Sequence, residues 1–244
     1  MKVTILGYSG AYPTEKSGTS AYLVESQDFQ LAIDMGSGGF LALKEKMDPL
    51  DLDALVITHY HGDHIADVNV LQYYRQLNQK TPNILPIYGN DEDACHFKTL
   101  TIPNVSEGIR YQEGDTLEVG PFRLSFLKTI HPVPTFAVRV EEMATGKVLV
   151  FTADSGYMEE LIPFSKDADL FLADTYFLTG EKANNFHLSA KETGEIALAA
   201  NVAHIVATHL SDKVSTHRLR VQIEEASQYN IPVDIAEKDK VFEL

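Results

Sequence analysis

The stretch Thr58–Asp67, THYHGDHIAD, constrains the fold and chemistry of this chain more than any other. Its metal-competent side chains fall within six positions: His59, His61, Asp63 and His64. The apolar run Ala54–Ile57 before them predicts a strand, and a helix is predicted to begin near Ile65. Loops at the carboxyl ends of strands carry most sites in α/β proteins. The stretch is therefore predicted to form a binding or catalytic site.

Four further metal-competent residues follow other predicted strands: His131, Asp154, Asp174 and His209. The strands that precede them are predicted over Phe122–Lys128, Val148–Phe151, Leu170–Leu172 and His204–Ala207. Five strand ends that each deliver imidazole or carboxylate indicate one shared centre. Neutral imidazole and carboxylate without thiolate suit zinc, and also manganese or iron(II).

The number of candidate ligands predicts two ions. His59 and His61 alternate in an extended segment and project to one side, whereas Asp63 and His64 lie past a glycine turn. One ion cannot readily use these four side chains together with the distant ones. Two ions can, with three ligands each and a shared carboxylate. Such a pair, about 3.5–4 Å apart, holds a bridging hydroxide and lowers its pKa to near neutral.

No repeat, low-complexity tract or linker divides the sequence, so residues 1–244 are predicted to form a single domain. Further strands are predicted over Lys2–Leu6, Thr19–Glu25, Phe29–Ile33, Leu117–Val119, Thr135–Val140 and Val233–Ile235. Helices are predicted over Gly39–Lys46, Ile65–Gln76, Met158–Pro163, Ala190–Ala200 and Thr216–Tyr229. Strands mixed with amphipathic helices predict sheets covered by helices, a layered α/β arrangement.

The amino-acid composition limits which kinds of partner are expected. A net charge of -15 leaves little basic surface, so no stable nucleic-acid partner is expected. The single Cys95 excludes an internal disulfide and a cysteine-based zinc site. No apolar run approaches the roughly 20 residues that span a bilayer, so no membrane partner is expected. The start of the sequence does not resemble a signal peptide, and the expected location is cytoplasmic.

The His-x-His-x-Asp-His pattern resembles the signature of the metallo-β-lactamase superfamily. The later candidates are similar to that family in order and spacing: His131 in TIHPVP, Asp154 in FTADSG and His209 in ATHLSD. The DMGSG turn at Asp34–Gly38 also resembles the family's DxGxG turn. The resemblance implies an α/β fold, the four-layer αβ/βα sandwich of the metallo-β-lactamase type.

The same resemblance implies how two zinc ions would be shared. One ion would take His59, His61 and His131. The other would take Asp63, His64 and His209, and Asp154 would bridge the two. Asp34 is predicted to orient the ligand histidines or to shape its turn without binding metal itself. His61 stands where diiron members carry glutamate, which favours hydrolytic zinc, although manganese or iron remains an alternative.

Within the superfamily, the chain resembles the ribonuclease Z-like phosphodiesterase branch. LGYSGAYPT is similar to that branch's LGTSxGxPT, and ADLFLADTYF to its ADLLIHEATF. FHLSA is similar to its GHSTA, and THLSDK to its THFSxR. The resemblance implies that Asp174 takes the place of a glutamate and His187 that of the catalytic histidine. Lys213, in the place of an arginine, and Ser211 would contact the substrate phosphate.

Several of these residues also fit purely structural roles. Asp174 also fits a helix cap or strand-end turn, His187 a surface role, and Lys213 a solvated loop. The other histidines are predicted to be hydrogen-bonded structural residues: His96, His204 and His217. The predicted catalytic set is Asp63, His187 and Asp174, in which His187 acts as the acid and Asp174 orients it.

The chain also departs from the transfer-RNA-processing members of the branch. After PT it reads EKSGTS, without their arginine and asparagine, and only 22 residues separate His131 from Asp154. That span leaves no room for their basic arm. The predicted function is therefore a dinuclear metal-dependent hydrolase that uses metal-bridging hydroxide to cleave a small cyclic or short nucleotide phosphodiester.

Two other functions fit the same residues: a thiolester or lactone hydrolase, and a non-catalytic metal-stabilised binding module. The resemblance also suggests a homodimer. The helix IADVNVLQYY is expected either to bury itself in the core or to pair with a second subunit.

Overall fold

A computed structural model describes all residues, 1–244, and the chain divides into two compact units. The first unit comprises residues 1–112 and 237–243, and the second comprises residues 113–236 and 244. Each unit is built on its own eight-stranded mixed sheet. None of the helices has the length and apolar character needed to cross a membrane.

The strands in chain order are β1 Lys2–Ser9, β2 Gly18–Thr19, β3 Ala21–Ser26, β4 Phe29–Ile33, β5 Ala54–Val56, β6 Leu85–Asn90, β7 Ser106–Tyr111, β8 Thr116–Val119, β9 Phe122–Lys128, β10 Phe136–Glu142, β11 Val148–Phe151, β12 Leu170–Phe177, β13 Leu188–Ser189, β14 Ile205–Thr208, β15 Val233–Ile235 and β16 Val241–Glu243. The α-helices are α1 Gly39–Lys46, α2 Gly62–Ile65, α3 Val68–Asn78, α4 Ala94–Thr99, α5 Leu161–Phe164, α6 Ala190–Ala199 and α7 Thr216–Ala226, with a 3-10 turn at Pro49–Asp51.

Each sheet has an antiparallel part that continues into a parallel part. In the first unit, the sheet runs β16-β1-β3-β4-β5-β6-β7, antiparallel as far as β4 and parallel from β4 onward. In the second unit, it runs β15-β14-β12-β11-β10-β9-β8, antiparallel from β8 to β11 and parallel beyond. The short β2 and β13 pair parallel with β1 and β12.

The strands that carry the motif residues are the most deeply buried. Every residue of β5, β11 and β14 is buried, as expected for parallel strands covered on both faces. Their side chains are apolar throughout except for Thr208. Polar groups therefore gather where these strands end, and the histidine motif, Asp154 and His209 follow β5, β11 and β14.

Several predicted boundaries are wrong. The strand predicted over Thr19–Glu25 is divided at Ser20 into β2 and β3. The helix predicted over Ile65–Gln76 is two helices, because Asp67 interrupts it. The Asp67 backbone N–H donates to Met35 O, and its carboxylate accepts from Phe40 N–H, so both groups serve the neighbouring turn.

Other elements were absent from the prediction or differ in length. Strands β6 and β7 and helix α4 were missed, in part because Pro86 and Gly89 interrupt the β6 pattern. Helix α5 covers Leu161–Phe164 rather than Met158–Pro163. Strand β12 continues to Phe177, five residues beyond its predicted end, so Asp174 lies inside a strand rather than after one.

Helix α3 buries one face in the core, as one of its two alternatives predicted, and its pairing with a second subunit stays a prediction. Val68 and Leu71 are buried in the core of the first unit. On another face, Val70, Tyr73 and Leu77 are exposed at 44%, 62% and 64%. Their spacing of three and four residues makes this face a continuous apolar stripe.

Candidate metal centre

In the first unit, a buried carboxylate organises the histidine motif. Asp34 Oδ2 accepts hydrogen bonds from Thr58 Oγ1 at 2.8 Å and from His64 Nδ1 at 2.7 Å. Because the Thr58 hydroxyl donates its hydrogen to Asp34, the same oxygen accepts the hydrogen bond from His59 Nδ1, at 3.2 Å. Burial raises the pKa of the Asp34 carboxyl, and the bonds from His64 and Thr58 oppose that rise. With the proton on Nδ1, the lone pair of each of these two imidazoles lies on Nε2.

The motif presents its ligand atoms as two pairs. His59 Nε2 lies 3.2 Å from His61 Nδ1. Asp63 Oδ2 lies 3.7 Å from His64 Nε2 and also accepts from Ala11 N–H at 2.9 Å. Donor atoms about 2.0–2.1 Å from one tetrahedral ion are about 3.3–3.4 Å apart, so each pair fits two positions around an ion.

The local backbone explains why the motif divides this way. His61 is extended and caps the single-turn helix α2, which begins at Gly62. Asp63 and His64 lie in that turn, and the His64 ring stays close to His59, with ring centroids 4.0 Å apart. The predicted alternation followed by a glycine turn is what the structure shows.

In the second unit, Asp154 lies between two imidazoles. Its Oδ2 atom is 3.7 Å from His131 Nε2 and 3.4 Å from His209 Nε2. His131 Nδ1 lies 3.3 Å from the carbonyl oxygen of Phe186 and donates to it. The spacing would allow this carboxylate to bind metal together with either histidine.

Asp174 connects the proposed acid to one of these histidines. Its Oδ2 atom accepts from His187 Nδ1 at 2.9 Å and from Ser155 N–H at 3.1 Å, and its Oδ1 atom lies 3.2 Å from His209 Nδ1. The ligand atoms of Asp154, Asp174, His187 and His209 all lie within 4.8 Å of one another. Asp174 is fully buried inside β12, so neither a helix cap nor an exposed turn accounts for it.

The His187 ring is held on three sides. It stacks on His209 with ring centroids 5.2 Å apart and planes at 16°, and Tyr176 lies 5.0 Å away. Burial alone favours the neutral imidazole, but the charge and hydrogen bond of Asp174 outweigh it and raise the pKa of His187. The arrangement therefore favours an imidazolium with its Nε2 side left for a reaction partner.

Left-handed backbone recurs beside these residues. The φ angles are 57° at Asp34, 50° at Ala153 and 53° at His209, and none of the three is glycine. Each follows the end of a strand that joins the parallel part of its sheet. Such conformations are unfavourable for L-residues and gather at functional sites, where the surrounding structure holds them in place.

Not every predicted site residue lies in these clusters. Ser211 is buried, and its hydroxyl accepts from Lys213 N–H at 3.3 Å, whereas the Lys213 side chain is exposed. Their contact with a phosphate stays a prediction. Two histidines predicted to be structural have carboxylate partners elsewhere: His204 bonds Asp234 at 3.0 Å, and His96 bonds Asp93 at 2.7 Å.

Three contributors were missed by the sequence reasoning. Thr58 directly precedes the motif and could have been found as a hydroxyl at the strand end. Tyr176 lies in a run that reads as an ordinary strand. The Phe186 carbonyl oxygen carries no sequence signal, because any residue supplies one.

These folds and clusters are those of a known class. A model of the beta-lactamase superfamily domain matches residues 36–210. The chain therefore belongs to the metallo-β-lactamase superfamily, and the predicted α/β fold of that type is confirmed. The chain is similar to YhfI of Bacillus subtilis, described as a probable metallo-hydrolase, with 39% identity over 247 residues and 100% of both chains covered. A crystal structure of YhfI matches with a TM-score of 0.94 and 36% identity, covering 100% of this chain and 98% of that one.

Relatives at lower identity confirm the resemblance to the ribonuclease Z-like branch. Ribonuclease Z of Methanopyrus kandleri is 27% identical over 274 residues, covering 96% of this chain and 94% of its own. The short form of human tRNase Z matches in structure with a TM-score of 0.78 and 19% identity, covering 100% of this chain and 99% of that one. At that identity, the second likeness is one of fold alone.

Proposed function

We propose that this protein is a dinuclear metal-dependent hydrolase that cleaves small phosphodiesters such as cyclic or short nucleotides. Membership of the metallo-β-lactamase superfamily and similarity to a probable metallo-hydrolase support the hydrolase. Similarity to ribonuclease Z, together with the absence of room for a basic arm, supports a small phosphodiester. The observation that carries the proposal is the His187–Asp174 pair beside Asp154.

The donor atoms support two zinc ions. The proposed ligands are His59, His61 and His131 for one ion, Asp63, His64 and His209 for the other, and Asp154 for both. Four of these histidines have Nδ1 beside a hydrogen-bond acceptor and therefore offer Nε2. The set contains nitrogen and oxygen without thiolate, which suits zinc first and manganese or iron second. When bound, two divalent ions supply Lewis-acid charge and an activated water nucleophile.

The chain's own groups account for the departure of the leaving group. Phosphodiester cleavage expels an alkoxide, a poor leaving group unless it receives a proton. His187 holds a proton at Nε2 because Asp174 occupies Nδ1 and stabilises the imidazolium. Asp174 acts through His187 and so is a positioning residue in this proposal. Lys213 and Ser211 are proposed to contact the phosphate.

The test compares leaving groups in the metal-loaded enzyme. His187→Ala should lower kcat about 10²–10⁴-fold on a nucleoside cyclic phosphate, whose leaving group is an alkoxide. The loss should be much smaller on bis(4-nitrophenyl) phosphate, whose leaving group departs without a proton. His204→Ala is the matched control, because His204 has a similar carboxylate partner at the amino-terminal end of β14.

Three outcomes would contradict the proposal. Equal losses on both phosphodiesters would remove His187 from the role of acid. Rapid cleavage of a thiolester or lactone panel, with no phosphodiester cleaved, would favour the alternative hydrolase. No activity on any substrate, with metal bound, would favour the non-catalytic binding module.

A further inference from the structure

The loop before His187 holds an exposed aromatic ring in a fixed position. The Phe186 carbonyl oxygen accepts from His131 Nδ1 at 3.3 Å, and the Phe186 N–H donates to Asn184 Oδ1 at 2.9 Å. Both backbone polar groups of the residue are therefore engaged. The side chain remains 39% exposed, and its ring lies edge-on to His131 with centroids 6.3 Å apart.

Close packing beneath the loop fixes the same segment. A Cβ atom at Gly156 would lie 1.9 Å from the carbonyl oxygen of Asn185 and 3.3 Å from Ile130 Cγ2. The loop can occupy this position only because residue 156 has no side chain. The ring of Phe186 thus stands on a backbone that packing and hydrogen bonds hold together from both sides.

The position of the Phe186 ring distinguishes it from the other exposed aromatic side chains. Isolated exposed apolar side chains are ordinary and need no function. Phe186, however, precedes His187 directly and touches a proposed metal ligand, and the His131 and His187 rings are 5.4 Å apart. The residue directly before His187 in the segment FHLSA therefore brings an aromatic ring to the proposed site.

We propose that Phe186 is the platform on which a flat ring of the substrate stacks, so that the enzyme selects phosphodiesters carrying a nucleobase. The inference rests on the proposed phosphodiesterase function and names the part of the substrate beyond the phosphate. A fixed aromatic face binds any base with little loss of conformational entropy. Stacking of a base on an aromatic side chain is worth about 1–3 kcal/mol, which corresponds to about 5–150-fold in affinity.

The experiment varies the ring and the substrate together. Phe186→Ala and Phe186→Leu should raise KM for a nucleoside 2′,3′-cyclic phosphate at least about fivefold, and Phe186→Trp should retain the wild-type value. None of the three substitutions should change KM for glycerol 1,2-cyclic phosphate, which has the cyclic phosphodiester but no nucleobase. All variants keep the backbone carbonyl that His131 uses, so the change in KM reports the loss of the ring.

A binding measurement separates affinity from turnover. Calorimetric titration with a nucleoside monophosphate should show the same order of affinities as KM. Tyr229→Ala is the control, since Tyr229 is 70% exposed and lies outside the described clusters. It should alter neither quantity.

The other possible outcomes distinguish a failure of the stacking platform from a failure of the proposed phosphodiesterase function. Wild-type activity on both cyclic phosphates, with Phe186→Ala unchanged on both, would overturn the platform and leave the phosphodiesterase intact. Full retention by Phe186→Leu would also overturn it, because leucine preserves apolar contact without a flat face. Failure of the wild-type enzyme on both substrates would instead contradict the proposed function.

Discussion

The proposed ligand histidines differ in which ring nitrogen already has a partner within the protein. His59, His64, His131 and His209 each have Nδ1 beside an oxygen: a hydroxyl, a backbone carbonyl or a carboxylate. His61 differs, because its Nδ1 lies beside another imidazole nitrogen, His59 Nε2. The protein therefore sets the tautomer of four rings before any ion binds, which lowers the cost of forming the centre.

Asp34 offers a direct test of this preorganisation. Asp34→Asn should weaken metal binding about 10–100-fold, because both carboxylate oxygens accept hydrogen bonds from Thr58 or His64, and an amide replaces one of these oxygens by an NH2 group that cannot accept. Asparagine tolerates the left-handed backbone at this position, so the change isolates the carboxylate. Competition with a chromophoric chelator measures the affinity. Asp28→Asn, at an exposed site in the same unit, should leave it unchanged.

Tyr176 is predicted to act through its ring. Its centroid lies 5.0 Å from His187 and 5.7 Å from His209, so it supports the proposed acid and a proposed ligand together. Tyr176→Phe should retain kcat, whereas Tyr176→Ala should lower it about tenfold with KM nearly constant. Equal losses in the two variants would show that the hydroxyl is what matters.

At the scale of elements, helix α6 anchors the segment that delivers His187. Ser189 caps α6 in a capping box with Glu192, and Glu192 also bonds Lys182 at 2.9 Å. The segment before the helix is therefore tied at both ends to one carboxylate.

Removing this cap should affect both stability and turnover. Ser189→Ala is expected to cost about 1 kcal/mol in the free energy of unfolding, measured by urea titration. It should also reduce kcat, because His187 lies two residues before the cap. Ser215→Ala removes the comparable cap of α7 and should cost similar stability without the loss of kcat. A matched loss of kcat in both variants would contradict the anchoring role.

The elements also show what the sequence can and cannot predict. His59 to His64 were found because one local motif follows one apolar strand. Asp174 was placed after a strand that in fact continues through it, since β12 carries threonine, tyrosine and aspartate inside its buried length. The carbonyl oxygen that orients His131 comes from 55 residues away, and no local pattern encodes a contact of that separation.

At the scale of the molecule, bound metal should contribute measurably to stability. A ligand present at about 100 times its dissociation constant adds about 2.7 kcal/mol, which corresponds to about 5–10 °C in a chain of this size. Removal of metal with a chelator should lower Tm by that amount in differential scanning calorimetry, and zinc should restore it. His204→Ala should show the same difference, whereas His64→Ala should show much less.

The homodimer stays a prediction, and the exposed stripe of α3 gives it a place to be tested. Sedimentation equilibrium should give twice the chain mass of 27.1 kDa. Replacing Tyr73 and Leu77 by glutamate should then give the single mass, since two like charges would face their copies. A monomeric wild type would contradict the dimer, and a dimeric double variant would contradict the stripe as its interface.

The left-handed backbone at His209 changes how substitutions there should be interpreted. Alanine at His59 meets no left-handed backbone, so its effect reports the loss of the imidazole. Alanine at His209 must also adopt a φ of 53°, which histidine and especially asparagine tolerate better. Alanine alone would therefore overstate the importance of the His209 imidazole. Asparagine, which tolerates this backbone, would report the loss of the imidazole with less backbone strain.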